Sequence, residues 1–433
     1  MTGSSRKVAL GSFIGTTIEW YDFFLYGTAS ALIFSKLFFP SYEPLVGTLL
    51  SFATFGVAFL ARPLGGIIFG HFGDRFGRKP MLVITLMMMG VATGAIGLLP
   101  TYETIGVAAP IVLVLLRILQ GLSVGGEYGG AVLMTVEHAP PNRRGWYGSW
   151  VQAGSPAGLI ISNAVFLLIT TQVSQEQLLA WAWRIPFLAS FVLVIVGIVI
   201  RLSLEESPAF QRVAKSERVE TAPLVTVLRN HKRQVLLTAG AYVSTGVTVY
   251  LAAVFSLSYG TTTVGFSYSE MLVLVLLGQI LAFVLMPTFS HVSDRVGHKR
   301  VFMIGIVGMA LMAFPWLWLL TTGDFVPALL GFVLLFIPYS ATYGTMAAFF
   351  AGVYETRIGY SGLSLGYQLG TVVGSALAPI TATALVAATG TVASVGWYMV
   401  ATAVLSLAAA IWLTSAVAAP VRDADSVGTE MVT

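Results

Sequence analysis

Long apolar runs, cut at intervals by short clusters of charge, proline and glycine, make up most of this chain. A membrane-crossing helix needs about 20 mostly apolar residues, because each residue rises 1.5 Å through about 30 Å of hydrocarbon. Cutting at the polar clusters predicts twelve such helices: 12–34, 47–70, 81–99, 108–133, 148–170, 184–203, 234–258, 270–290, 301–321, 326–350, 362–388 and 393–417. The longest polar stretch, 204–233, mixes Glu, Lys and Arg and separates six helices from six. The expected fold is therefore an all-α polytopic membrane protein built from two six-helix bundles. Its expected units are a bundle over 1–203, a cytoplasmic linker over 204–233, a bundle over 234–417 and a tail over 418–433.

Composition sharpens this picture. Of 433 residues, 56% are hydrophobic and only 10% are charged, against about 25% charged in a soluble domain. The net charge of +4 is too small to imply a nucleic-acid partner. The absence of cysteine excludes disulfides and thiol chemistry. The 5 histidines are scattered without metal-ligand spacing, so neither a metal nor a cofactor is expected. Arg6 and Lys7 precede an apolar run too long for a signal peptide, which predicts a retained first span. No nucleophile–base constellation and no G-x-x-x-x-G-K-[ST] loop occur, which argues against an enzyme and against ATP-driven transport.

Charge placement sets the orientation. With both termini cytoplasmic, nearly all of the 23 Lys and Arg residues fall on the inner side. Only Lys36 and Arg184 lie outside, and Arg62 and Arg117 lie within spans.

The two halves repeat each other. "GHFGDRFGRK" (70–79) recurs as "SHVSDRVGHK" (290–299), each between the second and third span of its half. Downstream, Gln152 and Gly154 align with Gln368 and Gly370 at one common offset. Parallel six-span repeats place a site at their interface, where rocking of the halves gives alternating access.

Five charged residues fall well inside predicted spans, all in the first half: Glu19, Asp22, Arg62, Arg117 and Glu127. A charge near the bilayer centre costs roughly 2.5–3.5 kcal/mol on insertion scales, so each should pair or face a wet cavity. Counted from the cytoplasmic ends, Glu19 lies about 10 Å deep, Asp22 about 15 Å, Arg62 about 12 Å and Glu127 about 9 Å. Arg117 lies about 24 Å deep, which makes Arg62 the better-matched partner for the two acids. Glu19, Asp22 and Tyr26 share one face of the first span, and Arg117, Gln120 and Glu127 share one side of the fourth. In the second half, Tyr250, Tyr339 and Tyr343 are too central for an interfacial belt and are expected at the cavity. Gln152 and Gln368, equivalent in the repeat, are expected there too.

The G-x-x-x-D-R-x-G-R-K loop, its second copy and the six-plus-six plan resemble the major facilitator superfamily. More narrowly, "EWYDFFLYG", "RPLGGIIFGHFGDRFGRK", "RILQGLSVGGEYGGA" and "WAWRIPFL" with "LEESPAF" resemble its metabolite:proton symporters. The first 210 residues look most like the shikimate-carrier branch. The resemblance implies a cavity lined by spans one and four of each half. It implies that Arg117, in "RILQG", serves proton or substrate coupling beside Asp22, Glu19 and Glu127, and that Arg117, Arg62, Gln120 and Tyr26 line the substrate cavity. It implies inner gates at Asp74, Arg75 and Arg78, and at Asp294 and Arg295 of the second copy. The implied function is proton-coupled uptake of a small organic acid, such as shikimate or another mono- or dicarboxylate. The implied setting is the lipid bilayer of a bacterial plasma membrane, with the protein acting as a monomer. The alternatives are uptake of a zwitterionic osmolyte such as proline or betaine, and drug:proton antiport. "QAGSPAGLI" is only a loose match to the span-five signature of such antiporters.

Overall fold

The computed structural model describes residues 3–76, 78–137, 139–203, 223–354 and 359–413. Among them, nine helices are long and apolar enough to cross a membrane, and a further pair, Gln175–Ala182 and Arg184–Val199, forms a span bent by 46°. Helices Gly3–Leu32 and Arg78–Leu98 supply the other two of the twelve spans. The first mixes its apolar residues with Thr, Ser, Tyr and Trp and carries Glu19 and Asp22. It also starts earlier than its apolar run predicts, continuing as one helix from Gly3. Of the predicted linker, 204–222 lie outside the described residues and Pro223–Asn230 is a short helix; the side chains of Asp74, Arg75 and Arg78 also lie outside the described residues.

Local chemistry sets several boundaries. Ser267 starts span eight (Tyr268–Val296) with a capping box: its hydroxyl accepts from Glu270 N at 3.2 Å, and Glu270 Oε2 accepts from Ser267 N at 2.8 Å. Gly265 closes span seven at φ 101°, and Gly297 makes the turn into span nine at φ 102°. A side chain would be strained at both. Span seven (Lys232–Val264) and span eleven (Ser361–Thr389) each contain π-helical turns, Leu251–Phe255 and Val372–Ala376 among them. Such turns widen a helix locally and are common beside binding sites.

Small residues decide how closely the first-half helices pack. A Cβ at Gly121 or Gly125 of span four (Ala108–Val132) would run into the carbonyls of Ala58 and Arg62 in span two. A Cβ at Gly65 would meet Leu122 O in return. The two backbones are in contact, which brings Arg62 and Arg117 into each other's electrostatic field. Leu60 and Leu115, on the far sides of the same helices, are exposed to lipid.

The halves meet along two main seams. Span five (Arg144–Gln172) packs on span one in its own half and on span eight in the other. Span two packs on span eleven across the same interface.

Candidate functional site

Span one provides the carboxylates. Asp22 is fully buried, and its Oδ1 accepts a hydrogen bond from Ser190 Oγ of span six at 2.7 Å. Its Oδ2 has no hydrogen-bond partner. Glu19, one turn nearer the N-terminus, is buried and lies within electrostatic reach of Tyr343 in span ten. Glu127 is also buried, directly beyond the break at Gly125 and Gly126 in span four.

Arg117 is fully buried as well. Its Nη1 donates to Gln120 Oε1 at 2.7 Å and its Nη2 to Phe55 O at 3.0 Å. The guanidinium lies 3.9 Å from the Tyr26 ring centre. The Tyr26 hydroxyl pairs with Thr54 Oγ1 at 2.6 Å. Arg62 stacks its guanidinium 3.9 Å from Phe23 and 4.3 Å from Phe59. Its Nε and Nη2, and Arg117 Nε, are buried donors without an acceptor.

The depth count favours Arg62 as the partner of Glu19 or Asp22; for Asp22, the cationic charge that bears on the carboxylate is that of Arg117. Depth along the helices was counted correctly, since Arg117 rests on Tyr26, one turn outward of Asp22. Rotation about the helix axes makes the difference: the span-two face bearing Arg62 turns toward Phe23, Phe59 and Trp20.

The second half closes over these groups with aromatic rings. Tyr250 is fully buried, packed 5.6 Å from Phe24 and 5.4 Å from both Phe55 and Phe59, and its hydroxyl is unpartnered. Tyr250 also lies in the field of both arginines. Tyr339 and Tyr343 stack at 5.5 Å. Gln152 Nε2 donates across the interface to Tyr343 O at 3.2 Å, and its repeat equivalent Gln368 donates to Gly125 O at 3.2 Å. Both glutamines, expected at the cavity, thus bond across the two halves at equivalent positions of the repeat.

Five further residues belong to this cluster. Tyr128 stacks on Tyr367 at 3.7 Å across the interface, and Tyr367 meets Tyr242 edge-on at 4.8 Å. Thr93 and Ser190 complete the surroundings of Asp22. Tyr128 and Tyr367 adjoin Glu127 and Gln368, but sequence adjacency places them on different helix faces, so no pattern singled them out. Thr93 and Ser190 are single hydroxyls in apolar runs, which carry no signal without the fold.

The mouths of the interface are tied on both sides. At the inner end, Asp294 Oδ1 accepts from Gly145 N at 2.8 Å and Oδ2 from Trp146 N at 3.1 Å. The second copy of the loop motif therefore caps the N-terminus of span five with a carboxylate, where backbone N–H groups and the helix dipole favour an anion. Arg295 has a looser role: its Nη2 lies 3.5 Å from His291 Nε2 at the surface. At the outer end, the Tyr268 hydroxyl donates to Leu32 O at 3.2 Å and lies 3.5 Å from Lys36 Nζ and from Gln175 Nε2. Tyr268 belongs to the outer seam as much as to an interfacial belt. Cross-half hydrogen bonds are thus present at both ends of the interface.

Comparison with known proteins places this arrangement. The family model described as Major Facilitator Superfamily matches residues 12–369. The chain is 42% identical over 388 residues to the shikimate transporter of Escherichia coli (strain K12), covering 88% of each chain. It is 40% identical to the inner membrane metabolite transport protein YhjE of the same strain, covering 94% of this chain and 93% of that one. It is 34% identical to the proline/betaine transporter of Salmonella typhimurium, covering 98% and 86%. Among solved structures, the proton:xylose symporter XylE superposes with a TM-score of 0.75 at 15% identity, covering 96% of this chain and 97% of that one. At that identity the likeness concerns the fold.

Proposed function

This chain belongs to the Major Facilitator Superfamily, and from that premise we propose that it takes up a small organic acid together with a proton. It is a multi-pass membrane protein and a transporter rather than an enzyme. The proposed substrate is a monocarboxylate or dicarboxylate such as shikimate. The proposed orientation puts both termini in the cytoplasm of a bacterium and joins the six-helix bundles through a cytoplasmic linker.

One observation carries this reading. Arg62 and Arg117 keep buried N–H donors without acceptors, the Tyr250 hydroxyl beside them is also unpartnered, and Asp22 Oδ2 lies on the same helix bundle unpartnered. Unpaired charged donors in an apolar interior are costly, so an occupant with anionic oxygens would satisfy them. The same occupant would weaken the hold of Arg117 on the Asp22 carboxylate, which would then take up a proton more readily. Proton and anion binding become mutually favourable, and linkage makes the effect reciprocal. The neutralised site then reorients between the two sides at lower cost.

An osmolyte reading would use the aromatic rings as a cage for a quaternary ammonium. The faces of Phe23, Phe59 and Tyr26 are already covered by Arg62 and Arg117, which disfavours it. Proteoliposome uptake tests the proposal. An inward proton gradient should drive accumulation of labelled shikimate without net current, since one proton with one monoanion is electroneutral. Current-carrying uptake of betaine in place of shikimate would establish the osmolyte reading, and accumulation indifferent to the gradient would refute symport.

A further inference from the structure

Between Arg117 and Asp22 runs a chain of hydrogen bonds that the direct electrostatic argument does not need. Arg117 Nη1 donates to Gln120 Oε1 at 2.7 Å, which leaves the Gln120 amide nitrogen pointing the other way. Gln120 Nε2 donates to Thr93 Oγ1 of span three at 2.6 Å. The Thr93 hydroxyl faces the Asp22 carboxylate. All four side chains are fully buried, so no bulk water competes for these bonds.

A hydroxyl has one proton and two acceptor sites. Thr93 spends one acceptor site on Gln120 and gives its proton to Met89 O at 3.0 Å. Its remaining acceptor site can take a hydrogen bond from the Asp22 carboxyl only if Asp22 carries a proton. An ionised Asp22 would instead draw the Thr93 proton away from Met89 O. Thr93 therefore has two hydrogen-bonding positions, one for each protonation state of Asp22. Gln120 favours one rotamer of that hydroxyl for as long as Arg117 holds its amide.

We propose that Gln120 and Thr93 are positioning residues for coupling, forming a relay through which Arg117 and Asp22 sense each other's state. The inference rests on Asp22 being the proton-linked carboxylate. A substrate carboxylate that draws the Arg117 guanidinium away releases Gln120 Oε1, frees the amide to rotate, and loosens the hydrogen bond that orients Thr93. Proton uptake at Asp22 sends the same message in reverse. The titratable groups that face Asp22 are Arg117 from span four and Glu19 and the neutral Tyr21 from its own helix. Arg62 of span two faces Arg117 instead, and Ser190 of span six has no charge. Gln120 bonds to Arg117 on one side and to Thr93 on the other, so its effect on Asp22 passes through Thr93 as well as through the position of Arg117.

Infrared pH-difference spectra of the purified protein, without substrate, test this directly. The carboxyl band lost in Asp22→Asn identifies the group and gives its titration midpoint. Thr93→Val, which keeps the volume, and Gln120→Met should each move that midpoint by about half to one pH unit, the size of one hydrogen bond. Thr93→Ser should leave it in place. An unmoved midpoint in both variants overturns the relay. So does a shift in Thr93→Val alone, because Thr93 would then act without Arg117, and so does an equal shift in Thr93→Ser. If Thr93→Val fails to fold, Gln120→Met decides by itself. Failure of the wild-type protein to accumulate shikimate would count against the proposed function and leave this spectroscopic result intact.

Discussion

Asp294 and Gly145 lie in opposite halves of the chain, yet the carboxylate of the first accepts the backbone N–H of the second at 2.8 Å. A glycine is needed there, because a Cβ would crowd Asp294 Oδ1 itself and Ser290 O. On the proposed orientation, this bond would hold the cytoplasmic mouth closed.

Asp294→Ala should shift the resting population toward the inward-open form. Losing an anionic helix cap costs about 0.5–2 kcal/mol, which is roughly a three- to thirtyfold change in the equilibrium. The chain has no cysteine, so a single cysteine at Ser290, buried beside the cap, reports the change cleanly. Its maleimide labelling should accelerate in the Asp294→Ala background.

Asp22→Asn preserves the shape of the carboxylate and removes its proton. Accumulation driven by a proton gradient should be abolished, whereas counterflow exchange of substrate should persist. Parallel assays in one proteoliposome preparation separate the two, and unchanged uphill uptake would eliminate Asp22 as the coupling acid.

Arg117→Lys keeps the charge but not the geometry. An ammonium cannot bond Gln120 and Phe55 O together while lying flat on Tyr26. Losing a charged hydrogen bond should weaken carboxylate binding roughly tenfold to a hundredfold. Equilibrium binding of labelled shikimate to the purified variant measures it.

Gly121→Val should destabilise the first bundle by about 1–3 kcal/mol, because the backbone of Ala58 has nowhere to move. Gly47→Ala, whose nearest neighbour would be Phe39 O at 3.5 Å, should be nearly neutral. Thermal unfolding midpoints of the two variants in one detergent provide the comparison.

Much of the architecture was legible before any coordinates. Twelve apolar runs, a duplicated loop motif and the placement of Lys and Arg are properties of composition and order. The bilayer converts them into structure with little ambiguity, since a buried backbone must bond to itself. The five intramembrane charges were equally visible, because any charge in an apolar run is conspicuous. The pairing among them was less so. Depth is linear in residue number and could be counted. Azimuth depends on which glycines let spans two and four touch, and that turned Arg62 toward Phe23 and Arg117 toward Asp22. Thr93, Ser190, Tyr128 and Tyr367 could not be singled out, because a lone hydroxyl or ring in a helix is ordinary until its neighbours are known.

The chain by itself thus determined the number of spans, their expected orientation, the repeat and the acids of "IEWYDFFLYG". Hydrophobicity and charge act residue by residue, and they can be read in order along the chain. Only the tertiary structure decided that Asp22 meets Ser190 and Arg117, that Asp294 caps Gly145, and that tyrosines from both halves close over the arginines. Those contacts join residues far apart in sequence, and helix rotation and close packing select them.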